Sequence, residues 1–181
     1  MVSKPVSESE FLEQHATLVY NLALRLVGNA SDAEDLAQDA LIRALKALPN
    51  FRGESSLSTW VYRITVNTWK NRVRSEKRRG LWKMLPLSLF TGEDKDEEPN
   101  FKDDSKPLDA DLETDEKGAM VQKALMDLDE ESRAVVVLRE IEGQSYQEIA
   151  AALEIPEGTV KSRLSRARES LKGKLQKYVT P

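Results

Sequence analysis

The side chains of this 181-residue chain best suited to chemistry are cations interleaved with amides and aromatics. Between Phe51 and Arg79 the chain reads FRGESSLSTWVYRITVNTWKNRVRSEKRR. Arg63, Asn67, Lys70, Asn71, Arg74 and Arg78 recur there at helical spacing with no acid among them, and Trp60 opens the row. From Arg52 to Lys83 nine Lys/Arg stand against two Glu, net +7 in a chain of net charge -4. So concentrated a cationic face on an acidic protein points to a polyanion. Asparagine amides add groups able to pair with base edges. Phe51, at the mouth of a Gly/Ser loop, is a poor choice for solvated chain and a good stacking platform for an unpaired base. The competing reading is a merely solvated helix face; such faces normally mix signs, and this one does not.

A helix must carry that row. Leu57, Val61, Ile64 and Thr68 share a second face, the pattern of a core-facing stripe. Upstream, Ser7 with Glu10 forms a capping-box pair before FLEQHATLVYNLALRLV, and Gly28 suits the C′ position. Ser31 with Glu34 predicts a further box opening a helix to about Leu48, before Pro49. There Ala37, Leu41, Ala44, Leu45 and Leu48 line one face. Asp32, Asp35, Gln38, Asp39 and Ile42 line the other. Solvation alone could explain the acids, but Ile42 among them suggests a protein partner with basic side chains.

Around Gly80 the composition shifts. Residues 84–115 hold three prolines and eleven acids against three lysines without helical periodicity, which reads as an acidic flexible linker. It divides the chain into two small helical domains, 1–83 and 116–181. In the second, Val121, Leu125 and Leu128 predict the inner face of one helix, and Val135, Leu138 and Ile141 that of a helix ended by Gly143. Ser145 and Glu148 form another capping box. That helix ends near Leu153, turns at Glu154-Ile155, and a new helix begins near Pro156, which is a helix-turn-helix unit. In the last helix Val160, Leu164, Ala167 and Leu171 point inward. Thr159, Ser162, Ser165, Arg166 and Glu169 point outward, flanked by Lys161 and Arg163. Small polar groups and arginines on a free face suit a major groove. A plain helical hairpin with a basic tail is the alternative. The fold class is all-α.

Several classes are excluded. Without cysteine there are no disulfides or thiolate metal sites, as suits a reducing cytoplasm. The lone histidine, His15, is expected at the surface or a boundary. No apolar run approaches the roughly 18 residues a membrane span needs, and no signal-peptide core begins the chain. Gly-rich phosphate loops, His pairs and nucleophile motifs are missing, so neither an enzyme nor a cofactor or metal is expected.

Three blocks, DAEDLAQDALIRALKAL, FRGESSLSTWVYRITVNTWKNRVR and SYQEIAAALEIPEGTVKSRLSRARESL, stand in this order around an acidic spacer. Together they resemble a bacterial sigma factor of the extracytoplasmic-function class, over nearly the whole chain outside the linker and termini. The resemblance implies a region 2 bundle and a region 4 helix-turn-helix. Asp35, Gln38, Asp39 and Ile42 would grip the clamp of the largest subunit of core RNA polymerase, with the beta-subunit flap as a second contact. Arg43 and Phe51, with the loop that follows it, would receive a flipped base of the minus-10 element. Asn67 and Asn71 would read neighbouring bases, and Trp60, Arg63, Lys70 and Arg74 would belong to the same minus-10 surface. Thr159, Lys161, Ser162, Arg163, Ser165 and Arg166 would read the minus-35 duplex. An anti-sigma factor joins core polymerase and promoter DNA among the implied partners, and the linker would run through the polymerase's basic RNA channel. One departure stands out: primary sigma factors pair two tryptophans where this chain has Trp60-Val61, which implies weaker melting and stricter promoters. Two rival classes remain, a helix-turn-helix regulator binding DNA alone and a non-specific single-strand binder or RNA adaptor.

Overall fold

The computed structural model describes residues 7–84 and 112–179, and among them every regular element is helical. The acidic linker of 84–115 lies outside the described residues, apart from its two ends. Those ends are helical. α3 (Leu57–Met84) runs through Gly80, and α4 (Leu112–Met126) begins earlier than the linker composition suggested.

α1 (Glu8–Val27) starts at the expected Ser7 box and stops at Gly28, whose φ of 86° lets its amide bond Leu24 O. α2 (Ala30–Ala47) begins one residue before Ser31. Asn29, in extended conformation, is its N-cap and accepts from the Asp32 amide at 2.9 Å, so the Ser31–Glu34 pair lies inside the first turn. Phe11, Val19, Leu22, Ala23 and Leu26 of α1 pack on Ala33, Leu36, Ala37, Ala40 and Ala44 of α2. Four alanines on that face bring the two helices close. His15 is buried, where a surface or boundary position was expected. Its ring stacks on Phe11 at 4.8 Å and Nδ1 lies 3.0 Å from Phe11 O, so a polar ring inside a helix bundle has a partner.

α3 buries more than its expected stripe. Val61 and Thr68 are inside as expected, and Thr59, Tyr62, Thr65, Val66 and Trp69 are too. Helices buried around most of their circumference lie centrally rather than on a surface. Thr65 and Thr68 satisfy their hydroxyls by donating to the carbonyls of Val61 and Ile64.

The chain's second part holds α4, α5 (Glu130–Val136, prolonged by a wider turn at Val137–Ile141), α6 (Tyr146–Leu153) and α7 (Glu157–Val179). Five consecutive residues, Ala134 to Leu138, are buried, so α5 is central to this part as α3 is to the first. Val160, Leu164 and Ala167 are inside as expected, whereas Val121 and Ile141 are exposed at 38% and 42%. At those two positions the helices pass beyond their neighbours, and a periodic pattern alone does not reveal where cover ends.

Both parts pack on each other. α6 lies across α3, and α4 and α5 meet the end of α1. Arg133 organises the second contact: its guanidinium donates to Leu125, Met126 and Leu128 carbonyls at the end of α4 and to Leu26 O (2.6 Å) at the end of α1. Gln122 donates to Leu24 O and Arg25 O. A cation placed where two helix C-termini converge answers both dipoles and supplies the donors their last carbonyls lack. Gly28 sits so close to Met126 that a Cβ there would lie 2.5 Å from its Sδ.

Candidate nucleic-acid interface

The loop before α3 is built as a cup. A 3-10 turn at Leu48–Asn50 ends with the Phe51 amide on Leu48 O, and Gly53 takes a φ of 71°. Ser56 Oγ accepts from the Thr59 amide at 3.0 Å and so caps α3. This geometry brings the Phe51 and Trp60 rings to 5.1 Å, tilted by 50°. Arg52, Glu54, Ser55 and Arg63, with Ala151 and Ala152 of α6 as a further wall, complete a cleft of about 410 Å3, within the size of small-ligand sites. Two aromatic faces and two cations suit an unstacked base and its phosphate. Arg43, placed by sequence in the same pocket, is exposed on α2 and does not line it.

Along α3 the cationic row divides. Asn71 and Arg74 are exposed and Asn67 is half-buried. Arg63 pairs with Glu154 at 3.2 Å, and Lys70 Nζ donates to Leu153 O, so both reach α6. Thr59 Oγ1 lies 3.0 Å from Gln144 Oε1 and 2.9 Å from Glu148 Oε1, and Tyr62 donates to Glu142 at 2.6 Å. Burial first, and then the Glu142 bond, push the Tyr62 pKa well up, so this phenol stays a donor. Serine and threonine bonds hold the Glu148 carboxyl below its ordinary range. Sequence reasoning missed Thr59 and Tyr62; their spacing of three, between the two recognised stripes, was the available signal.

The acidic face of α2 stands clear. Gln38 and Asp39 are exposed, and Ile42 is 50% exposed. Arg72, on the opposite side of α3 from the cleft, reaches Asp32 (3.3 Å), Asp35 (3.9 Å) and Glu76 (3.4 Å), so α3 braces the start of this face. A lone basic residue at a position neighbouring an acidic helix was its signal.

The helix-turn-helix closes as expected. Glu154 adopts the left-handed conformation at φ 57°, ending α6, and the Thr159 and Val160 amides donate to Pro156 O. On α7, Ser162, Ser165 and Arg166 are exposed, while Thr159 is half-buried. Lys161 is exposed too but engaged with Glu157 at 2.7 Å, a bond that raises its pKa. Arg163 turns inward to Glu131 and is only 25% exposed, so it braces α5 against α7 rather than facing outward. Arg139 lies over the Tyr146 ring at 4.7 Å and Arg168 pairs with Glu140, which fixes α6 and α7 to α5's extension.

Comparison with known proteins identifies both helical parts. Residues 11–79 match the family model Sigma-70 region 2, and residues 119–171 match Sigma-70, region 4. The RNA polymerase sigma-H factor of Pseudomonas aeruginosa is 42% identical over 90% of this chain and 82% of its own length. The ECF RNA polymerase sigma-E factor of Escherichia coli strain K12 is 37% identical over 83% of this chain and 77% of its own. Among solved structures, the sigma factor RpoE in complex with the anti-sigma factor NepR, from Bartonella quintana, is similar with a TM-score of 0.68 and 27% identity, covering 93% of this chain and 96% of that one. The chain belongs to the sigma-70 family, within the extracytoplasmic-function class of RNA polymerase sigma factors.

Proposed function

We infer that the chain is an alternative sigma factor: it binds core RNA polymerase, brings it to two-part promoters and holds the strand exposed on opening, with no bond change of its own. The Phe51–Trp60 cup beside the exposed Asn71 and Arg74 supports the minus-10 role, with Phe51 stacking, Asn67 and Asn71 reading edges, and Lys70 and Arg74 neutralising phosphate. Ser162, Ser165 and Arg166 on α7 would read the minus-35 duplex, Thr159 and Lys161 assisting at its start. Arg163 contributes from behind by holding α7 in place. Since the Bartonella protein was solved with an anti-sigma factor, a partner of that kind is proposed here as well. No helix among the described residues is long and apolar enough to cross a membrane, and the proposed place of action is the cytoplasm, beside the polymerase.

The observation that carries the polymerase assignment is an exposed isoleucine inside an acidic row on α2, a surface that solubility alone does not require. Asp39→Arg replaces an attraction with a repulsion and leaves the alanine face untouched. Pull-down with core polymerase should fall at least tenfold while the far-ultraviolet circular dichroism stays unchanged. Full affinity in the variant removes α2 from the handle. Failure of the unaltered chain to form a stoichiometric complex with core polymerase favours a stand-alone regulator.

A further inference from the structure

Four helices meet at a second cavity, of about 250 Å3, that shares no lining residue with the Phe51–Trp60 cleft. Trp69 of α3, Ala134 of α5, Leu153 at the end of α6 and Ile155 in the turn beyond it give it an apolar floor. Trp69, Ala134 and Leu153 are buried and Ile155 is half-buried, so the core around them holds these groups in place. By liquid volume the space equals roughly eight waters, enough for one ring or a short branched chain.

The charges at its rim do not balance. Three carboxylates line the cavity, and each already has a cation. Glu130 accepts from Lys77 at 2.8 Å, Glu131 pairs with Arg163, and Glu154 pairs with Arg63 at 3.2 Å. Two lining cations are left without an anion. Lys70 Nζ donates to a neutral carbonyl, Leu153 O, at 3.2 Å. Arg74 is exposed and has neither a hydrogen bond nor an ion pair among the described residues. The two are four residues apart on α3, so they stand one turn apart on one face at the cavity's edge. Solvated cations alone would need no apolar floor beside them, and an apolar crevice alone would need no cations. Side by side they fit a molecule with an apolar body and one anionic end. An arginine fork beside an ammonium suits a carboxylate.

We propose that this cavity is a binding site for a small apolar carboxylic acid, aromatic or branched. Its carboxylate bridges Lys70 and Arg74, and its body lies on Trp69, Ala134, Leu153 and Ile155. The site is composite: α3 supplies both cations and one apolar wall, and α5, α6 and the following turn supply the rest. A ligand there is bound only by the chain in which both parts are packed, and at ten times its Kd it favours that arrangement about elevenfold. It also takes two cations given above to promoter phosphate, so a small acid would tune promoter opening. That consequence rests on the minus-10 reading; the site itself does not.

The test is a nuclear magnetic resonance titration of the isotope-labelled full chain. The probes are phenylacetate, 3-phenylpropionate and 4-methylpentanoate, each with its primary amide as the uncharged counterpart. The chain's three tryptophans give three indole N–H signals, assigned through Trp60→Phe and Trp82→Phe. Trp69 lines this cavity and Trp60 the other cleft, so the two signals tell the sites apart. At least one acid should move the Trp69 signal saturably with a Kd below about 1 mM, while Trp60 stays still. An Ile155 methyl signal should follow the same curve, as a site shared by both parts requires. The matching amide should bind at least tenfold more weakly, since a charge-assisted bond is lost. Arg74→Glu, at an exposed and unpaired position, should weaken the acid tenfold or more and leave the amide's affinity unchanged. Four results would each overturn the proposal: no saturable shift with any probe up to about 10 mM, equal affinity of acid and amide, full affinity in Arg74→Glu, or movement of Trp60 in place of Trp69. The minus-10 reading fails separately: a Lys70→Ala holoenzyme with an unaltered salt slope at promoters would reject it and leave the titration standing.

Discussion

Gly28 offers a thermodynamic probe of the contact between the two regions. Gly28→Ala has two costs. At φ 86° an L-residue is in left-handed backbone, which is unfavourable by about 1–2 kcal/mol. The new Cβ would also lie 2.5 Å from Met126 Sδ and 2.9 Å from its Cγ, so the methionine has to move. Overpacking of this kind costs about 1–3 kcal/mol, and a flexible thioether puts it at the low end. The sum is about 2–4 kcal/mol in urea unfolding of the full-length protein at unchanged m. Met126→Ala removes the obstacle, and in that background the same substitution should cost only the backbone part, about 1–2 kcal/mol. The double-mutant cycle should therefore show a coupling of about 1 kcal/mol or more between residues 98 positions apart. Equal costs in both backgrounds, to within about 0.5 kcal/mol, would refute the reasoning, because Gly28 would then be a local cap with nothing above it.

Division of labour along α3 gives a second expectation. Asn67→Ala should relax discrimination at one minus-10 base by about 1–3 kcal/mol with little change in salt dependence, and Lys70→Ala should lower the salt slope and leave base preference intact. On α7, Arg166→Ala should cost about 1–3 kcal/mol at one minus-35 position, whereas Arg163→Ala should instead lower the unfolding midpoint, as befits its ion pair with Glu131; promoter-variant scans separate the two. Acid should also loosen the contact between the two parts of the chain. The Lys77 bond holds Glu130 below the ordinary glutamate value of 4.5, and serine and threonine bonds do the same for Glu148. A lowered folded-state value means stability that is complete above about 4.5 and lost as pH falls through the folded value. The urea unfolding midpoint should fall over that acid range, and Glu148→Gln, which keeps a capping-box residue while removing the titration, should lessen the change.

Local structure was legible in the sequence wherever the determinant was local. Ser7 with Glu10, Ser145 with Glu148, Gly28 and the Glu154-Ile155 turn each specify a backbone event within a few residues. The start of α2 was misjudged because two polar pairs of the same spacing, Asn29–Asp32 and Ser31–Glu34, compete, and extended backbone at the first decides between them. His15 was misplaced because its polarity is satisfied by Phe11, one turn earlier on its own helix. The cationic row and the outer face of α7 stood out through charge and spacing. Their relation did not, since bonds such as Thr59–Glu148 and Arg133–Leu26 join residues about 90 and 107 positions apart with no local signature. Arg163 shows the limit most plainly: its type suited a DNA contact, and only the position of Glu131 turns it inward.

The alanine face of α2 bears on how such a protein can diversify. Ala33, Ala37, Ala40 and Ala44 meet α1 with almost no side chain to adjust, so any enlargement there displaces the whole helix. The outer positions, Gln38, Asp39 and Ile42, touch none of that packing, and change there leaves the fold alone. Drift is thus channelled to the outside of one helix. A library confined to those three positions should yield chains that all fold yet differ in which polymerase they engage, a starting point for orthogonal transcription systems in one cell.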